Sequence, residues 1–237
     1  MIEAALSTWQ DMPIATSFAV AVAMHLTIYI GWGVGTSMSY GVLQKKLKIG
    51  RVLDERPHFP SQLKSELVRG VLTCGLVAVV TVLCVRLASS PQPTGIATAA
   101  LELAGLMVVY EATFYFLHRL LHTSRFHNVH RVHHRSVRTT PWSGLSVHPL
   151  EAMFIEAPIL LFALIAPVSV ATLVTFQVVL HYVSAVGHGN YDPFARLPGF
   201  SWLKSYMRMH QLHHAHGNVN YSTFSPLMDA LFSTHKR

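Results

Sequence analysis

The chain has 237 residues, enough for one domain or at most two small ones. Hydrophobic residues make up 51% of it and charged residues only 12%, against about 25% in soluble globular domains, so the composition favours a membrane protein. The net charge of +7 does not indicate nucleic-acid binding, because no basic segment alternates with exposed aromatic residues. Cys74 and Cys84 have no C-x-x-C spacing and support neither a disulfide framework nor a thiolate metal site.

The first predicted element is a membrane-spanning helix over residues 14–43. This stretch contains no Asp, Glu, Lys or Arg, and about 20 helical residues suffice to cross the hydrocarbon core of a bilayer. Glu3 and Asp11 are the only charged side chains before it, which differs from the basic start of a cleavable signal peptide. We therefore expect this helix to be the first span.

Two more spanning helices are predicted after a loop rich in lysine and arginine. Residues 68–87 form the second apolar run, and the turn-rich, nearly uncharged segment 89–93 follows it. Residues 96–121 form the third run, which leads directly into a pair of histidines, His118 and His122. The histidine pair should therefore lie at a membrane surface.

Four residues of the third helix are predicted to share one face. Glu111, Tyr115, His118 and His122 are spaced by 4, 3 and 4 positions, which aligns them along a narrow helical stripe. An ionisable residue at membrane depth is costly and usually functional. We expect Glu111 to orient a ligand histidine by accepting its second N–H, and we take Glu111 and Tyr115 as candidate catalytic residues. The alternative for Glu111, and our only interpretation of Glu102, is a carboxylate neutralised within the bundle.

Two further histidine clusters share the spacing H-x-x-H-H, at residues 130–134 and 210–214. Positions three and four apart lie on one face of a helix, so each cluster can direct two or three imidazole nitrogens to a common point. All-imidazole ligation suits iron, zinc or copper and argues against magnesium or calcium. Eight ligands exceed the need of one ion, which predicts a two-metal site. The eight are His118, His122, His130, His133, His134, His210, His213 and His214.

Residues 152–187 are apolar and are interrupted by Pro158 and Pro167, which predicts a helical hairpin whose two ends return to one side. That side then holds all the histidine clusters and every Lys and Arg except Arg86, so the positive-inside rule makes it cytoplasmic. We predict an all-α integral membrane helical bundle that forms a single membrane domain over residues 1–237. It would consist of three long spanning helices, a Pro-broken helical hairpin and a cytoplasmic histidine-rich cap.

Three histidine boxes occur in chain order. They are YEATFYFLHRLLH at 110–122, HRVHH at 130–134 and HQLHH at 210–214. Together they resemble the fatty acid hydroxylase/sterol desaturase superfamily of membrane di-iron oxygenases. Flanking segments are similar to that family as well: HPLE at 148–151, GHGN at 187–190 and NYSTFSPLMDALFST at 220–234. The resemblance covers about residues 104–234, which we interpret as the catalytic region.

The resemblance implies a non-haem centre of two iron ions that uses O₂ to hydroxylate a C–H bond of a lipid, such as a fatty-acyl chain, a sterol or a related apolar substrate. Zinc is the alternative metal in purified protein, because it competes with ferrous iron at imidazole sites. The resemblance also implies a ninth histidine ligand between the second and third boxes. We assign His188, with His181 and His148 as alternatives, and we interpret His25 as an ordinary helix residue.

The sequence contains neither a dinucleotide-binding fingerprint nor a recognisable cytochrome domain. We therefore expect an external electron donor, either a reductase with ferredoxin or a donor of the cytochrome b5 type, and no nucleic-acid partner. The expected location is a bacterial inner membrane or the endoplasmic reticulum, with the active site on the cytoplasmic side. The alternatives are a lipid desaturase of the same family and, outside enzymes, a membrane metal-binding or transport protein. Transporters, however, usually place their ligands near the bilayer midplane.

Overall fold

The computed structural model describes residues 2–195 and 201–236, without the side chains of residues 201–207. Its regular structure is almost entirely helical, as predicted. The helices are α1 (Ile2–Asp11), α2 (Ile14–Val42), α3 (Gln62–Leu87), α4 (Ile96–Leu121), α5 (His127–His134), α6 (Pro149–Ile165), α7 (Val170–Gly187), α8 (Ser201–His216) and α9 (Leu227–Leu231). Two short strands, β1 (Arg51–Val52) and β2 (Tyr191–Asp192), pair antiparallel.

Four of the described helices are long and apolar enough to cross a membrane: α2 with the π-helical turn that extends it to Leu47, α3, α4 and α7. The first three are the predicted long spans. Large apolar side chains such as Ile30, Leu101 and Val108 are exposed on α2 and α4, as expected of surfaces that face lipid. The chain is therefore a multi-pass membrane protein.

The predicted hairpin consists of α6 and α7, and its turn lies at Pro167. Pro158, in contrast, lies inside α6 without ending it. A proline removes one backbone hydrogen bond, and a packed membrane helix tolerates that loss. The new helix begins after Pro167 because the Ser169 hydroxyl accepts a hydrogen bond from the backbone N–H of Thr172, which caps the first turn of α7.

The bundle has two distinct ends. At one end, Glu102 accepts hydrogen bonds from the backbone N–H and hydroxyl of Ser169 and from the hydroxyl of Thr172, so it fixes the start of α7. At the other end, β1 pairs with β2. The carboxyl ends of α4 and α7 lie there, together with α5, so we call it the histidine end. α6 packs against both α3 and α4 and places its own first turn at the histidine end.

Candidate metal centre

Nine histidines form two groups, and within each group one ring nitrogen per histidine lies within 4.8 Å of the others. The five-histidine cluster consists of His118, His122, His130, His134 and His213. The four-histidine cluster consists of His133, His188, His210 and His214. The structure thus brings together all nine histidines that the sequence analysis selected as metal ligands. Whether they bind metal stays a prediction.

Helical periodicity explains why each H-x-x-H-H pentad contributes to both clusters. His130 and His134 of α5 are four positions apart, share one helical face and join the five-histidine cluster, whereas His133 points to the other cluster. The pentad of α8 does the reverse, because His213 alone joins the five-histidine cluster while His210 and His214 join the four-histidine cluster. The two pentads therefore connect the clusters into one centre.

Four of these imidazoles have an oriented Nδ1, which lies at 2.7 or 2.8 Å from an oxygen. In three of them the oxygen is a backbone carbonyl, which can only accept a hydrogen bond, so Nδ1 carries the proton and Nε2 keeps a free lone pair. The carboxylate form of Glu151 accepts the Nδ1–H of His130 in the same way. The pairs are His118 with the Tyr221 carbonyl, His130 with Glu151 Oε1, His188 with the Ser184 carbonyl and His213 with the Val219 carbonyl. These contacts orient the rings in the way that protein metal sites require.

The spacing of the Nε2 atoms fits a bound cation. Nε2 of His118 and Nε2 of His130 are 3.2 Å apart, and both carry lone pairs, so without a cation the two atoms repel each other. Two nitrogens that bind one ion at about 2.1 Å and at a right angle lie about 3.0 Å apart. In the four-histidine cluster, Nε2 of His188 lies 3.3 Å from that of His133 and 2.7 Å from that of His210. Each cluster therefore has the donors and the spacing for one ion.

Burial keeps these histidines neutral. Loss of hydration lowers the pKa of His188 to about 4 and that of His134 to about 3. Burial, followed by the neighbouring histidines, lowers the pKa of His122 to about 2. A neutral imidazole can bind a metal without first losing a proton, so all three are ready ligands at neutral pH.

Glu111 and Tyr115 have partners that the sequence analysis did not foresee. The Glu111 carboxylate accepts hydrogen bonds from the backbone N–H groups of residues 223–225 at 2.9 to 3.2 Å, and its partners in the described part of the chain include no histidine. The Tyr115 hydroxyl lies 2.9 Å from Oγ1 of Thr234. Both residues thus hold the C-terminal segment against α4. Helical spacing placed them on one face, but it carried no information about a segment more than a hundred residues away.

The carboxylate that contacts a candidate ligand is Glu151, which the sequence analysis noted only as part of HPLE. Its Oε1 lies 2.8 Å from Nδ1 of His130, and both side chains are buried. His148, one of the alternatives for the ninth ligand, instead accepts a hydrogen bond from the backbone N–H of Leu150 and begins α6. The other alternative, His181, lies outside both clusters as well within the described residues.

Replacing Glu151 with glutamine should weaken metal binding by about 10- to 100-fold, because the carboxylate makes His130 a more basic ligand and fixes its ring. A competitive titration with a chromophoric chelator measures this change in Kd. The control is Glu156→Gln, five residues further along α6, which should leave the Kd unchanged. Equal Kd values for wild type and Glu151→Gln would contradict the role given to Glu151.

Asp229 organises the backbone that orients one candidate ligand, His118. Its carboxylate accepts hydrogen bonds from the backbone N–H groups of Tyr221 and Ser222 at 2.8 and 3.0 Å and from the Thr234 hydroxyl at 2.7 Å. The carbonyl oxygen of Tyr221 in turn accepts the Nδ1–H of His118. Asp229 lies in the segment whose sequence resembles the family, but the spacing of residues alone gave it no role.

Asp229→Asn should lower the free energy of unfolding by about 2 to 3 kcal/mol, because hydrogen bonds to a buried charged acceptor are lost and an amide N–H then faces another donor. Thermal unfolding in detergent measures the effect as a lower Tm. Glu55→Gln is the matched control at an exposed carboxylate and should leave Tm unchanged. An unchanged Tm for Asp229→Asn would contradict this role.

An apolar cavity of about 870 Å³, its open end included, adjoins both clusters. Rings from each cluster form part of its wall, including His118 and His133. Most of the remaining wall consists of apolar side chains of α4, α6 and α7, such as Phe114, Ile155 and Leu180. A hydrocarbon in this cavity would lie against the histidines and would be shielded from water.

A family model described as fatty acid hydroxylase matches residues 103–234. Three curated proteins illustrate the similarity. Delta(7)-sterol 5(6)-desaturase of Candida dubliniensis is 30% identical over 128 residues, which cover 52% of this chain and 31% of the relative. Protein CER1-like 2 of Arabidopsis thaliana is 28% identical over 138 residues, which cover 52% of this chain and 22% of the relative. Very-long-chain aldehyde decarbonylase GL1-6 of Oryza sativa subsp. indica is 30% identical over 135 residues, which cover 52% of this chain and 21% of the relative. The matches thus span less than a third of these relatives, and no solved structure matches significantly.

Proposed function

Because the chain belongs to the fatty acid hydroxylase family, we propose that it is a membrane-bound non-haem di-iron oxygenase that hydroxylates a C–H bond of a lipid with O₂ and external electrons. The observation that carries this proposal is the convergence of nine imidazoles in two clusters on the wall of one apolar cavity. A purely structural metal site would have no need of such a cavity beside it.

We assign one iron ion to the five-histidine cluster and one to the four-histidine cluster. The bound pair would supply the activation of O₂ that attack on an unactivated C–H bond requires. The protein orients the ligands through the Nδ1–H contacts of the histidines, among which Glu151 accepts from His130. The apolar wall holds the hydrocarbon beside the clusters and excludes water from them.

Electrons are proposed to enter at the histidine end. Arg119, Arg125, Arg131 and Arg135 are exposed there and give that end a positive surface, which suits an acidic donor protein. A ferredoxin with its reductase and a donor of the cytochrome b5 type both meet this requirement. By the positive-inside rule this end faces the cytoplasm, in a bacterial inner membrane or the endoplasmic reticulum.

A lipid desaturase is the second candidate, because one relative with 30% identity is named a sterol desaturase. Both reactions begin with removal of a hydrogen atom from the lipid, and they differ in whether oxygen then joins the carbon. Product mass separates them, since hydroxylation adds one oxygen atom and desaturation removes two hydrogen atoms.

The test uses the full chain loaded with ferrous iron in lipid nanodiscs, a chemical reductant and O₂, followed by mass spectrometry of the extracted lipids. We expect lipids that have gained one oxygen atom. Loss of two hydrogen atoms would favour the desaturase. Unchanged lipids, together with movement of metal ions across vesicles that contain the protein, would contradict both enzymes and favour a transporter.

A further inference from the structure

The short helix α9 has the reverse polarity of a helix on the surface of a water-soluble protein. Asp229, the only charged residue between residues 220 and 234, is fully buried. Leu227 and Leu231 of α9 and Phe232 directly after it lie on the outside instead, with 61%, 67% and 43% of their surface exposed. A helix that meets water normally turns its charged residues outward and its apolar residues toward the core. The outer face of α9 is therefore suited to apolar surroundings.

This apolar face continues onto the end of α4. The rings of Phe116 and Phe232 meet edge to face, with their centroids 5.2 Å apart. Phe116 is 50% exposed, and Leu120, one turn further along α4, is 40% exposed. These side chains form one exposed apolar surface, the α9 patch, which consists of Phe116, Leu120, Leu227, Leu231 and Phe232. Contiguous apolar patches mark surfaces that contact another protein or a membrane.

The position of the α9 patch along α4 favours the membrane. About 20 helical residues cross the hydrocarbon core of a bilayer, so a core that starts with α4 at Ile96 ends near Phe116. Phe116 also lies within about 80° around the helix of Leu101 and Val108, which face lipid. Arg119, in the next turn, is exposed at the level where headgroups begin. The patch thus extends a surface that lipid already covers, so the bilayer can cover the patch without a protein partner.

The α9 patch belongs to the segment that completes the candidate metal centre. The carbonyl oxygen of Tyr221 accepts the Nδ1–H of His118. Ser222 and Thr223, the next two residues, line the apolar cavity. Contacts that hold α9 in place therefore also hold this part of the cavity wall.

We propose that the α9 patch is immersed in the bilayer and anchors residues 220–234 in the leaflet at the histidine end. This segment then lies at the lipid surface, whereas a cap would be surrounded by water. The cavity wall that Ser222 and Thr223 form is thereby placed beside the lipid. The proposal concerns the surroundings of α9 and does not depend on the reaction that the chain catalyses.

Site-directed spin labelling of the full chain in lipid nanodiscs tests this proposal. A nitroxide is attached to the Leu231→Cys variant, and power-saturation EPR compares its accessibility to O₂, which concentrates in hydrocarbon, with its accessibility to a water-soluble nickel chelate. The references are Val108→Cys, on the lipid-facing side of α4, and Glu55→Cys, at an exposed loop position. Cys74 and Cys84 are buried and should stay unlabelled, which the wild-type chain verifies.

The ratio of O₂ to nickel accessibility at residue 231 should be at least about fivefold above that at residue 55, because a polar chelate is excluded from an apolar surrounding. It should approach the ratio at residue 108. A ratio equal to that at residue 55 would overturn the proposal, since α9 would then lie in water. Low accessibility to both reagents would also overturn it and would indicate a protein partner or a second copy of the chain.

Hydrogen–deuterium exchange is the second measurement. The double variant Leu227→Ser with Leu231→Ser removes two apolar side chains from the lipid, so the amides of residues 220–234 should exchange at least about tenfold faster than in wild type. Ala230→Ser adds the same hydroxyl at a neighbouring exposed position without removing a large apolar side chain, and it should exchange at the wild-type rate. Unchanged exchange in the double variant would contradict anchoring by lipid. The spin-label ratios decide the question alone if the double variant does not fold.

This inference and the proposed function fail in different ways. If α9 lies in lipid but the iron-loaded chain oxidises no lipid, the proposed function is wrong and the anchoring of the C-terminal segment stands. If lipids are oxidised while α9 lies in water, only the present inference is wrong.

Discussion

His213→Ala should reduce the metal content of the protein from two ions per chain to one and should lower lipid oxidation by at least about 1000-fold. His213 is fully buried, and its Nε2 lies 3.2 Å from that of His122 and 3.0 Å from that of His134, so it completes the five-histidine cluster. Without it, the five-histidine cluster has no ligand from α8. Two metals that act on one substrate are required together, so the loss of one should remove activity.

Inductively coupled plasma mass spectrometry of the purified variant measures the ion count, and O₂ consumption measures the activity. His216→Ala is the matched control, because His216 lies three residues further along α8 and is exposed. It should retain two ions and wild-type activity. Two ions per chain in His213→Ala would contradict the ligand assignment.

The second large effect is predicted for His188→Ala, which should lose the ion of the four-histidine cluster, whereas His181→Ala should retain both ions. The two histidines lie seven residues apart around α7, and the sequence analysis considered both for the ninth ligand. In the structure, Nε2 of His188 lies 2.7 Å from that of His210, whereas Nε2 of His181 lies 3.5 Å from Nδ1 of His25. Burial lowers the pKa of His188 to about 4, so the free protein presents it as a neutral ligand.

The ion count by mass spectrometry and the O₂ consumption distinguish these variants, with His181→Ala as the control for His188→Ala. A His188→Ala protein that keeps two ions, or a His181→Ala protein that loses one, would reverse the assignment. Lipid oxidation by His188→Ala should be lost with the ion bound through His188, because the proposed reaction requires both ions. A folded His188→Ala chain is expected, because the five-histidine cluster remains intact.

The sequence predicts much of this fold because its strongest signals are local. Apolar runs of spanning length locate α2, α3 and α4, and Pro167, which interrupts the next apolar stretch, locates the hairpin turn. The two pentads identify their histidines as ligand candidates because residues three and four apart share a helical face. These inferences need no knowledge of how the helices pack.

Long-range contacts decide the rest. The partners of Glu111 are backbone groups near Phe224, and the partner of Glu151 is His130 on another helix. Division of each pentad between two clusters depends on the relative orientation of α5 and α8, which the spacing alone does not define. His25 looked ordinary because it has no neighbouring histidine in the sequence, and only packing against α7 reveals its partner, His181.

The most direct test of the di-iron account is an anaerobic titration of the wild-type chain with ferrous iron, followed at each point by exposure to isotopically labelled O₂ and reductant. The account predicts that lipid oxidation is absent until the second ion binds, saturates at two ions per chain, and transfers labelled oxygen to the lipid. Saturation at one ion per chain, or unlabelled and unchanged lipid with two ions bound, would contradict it.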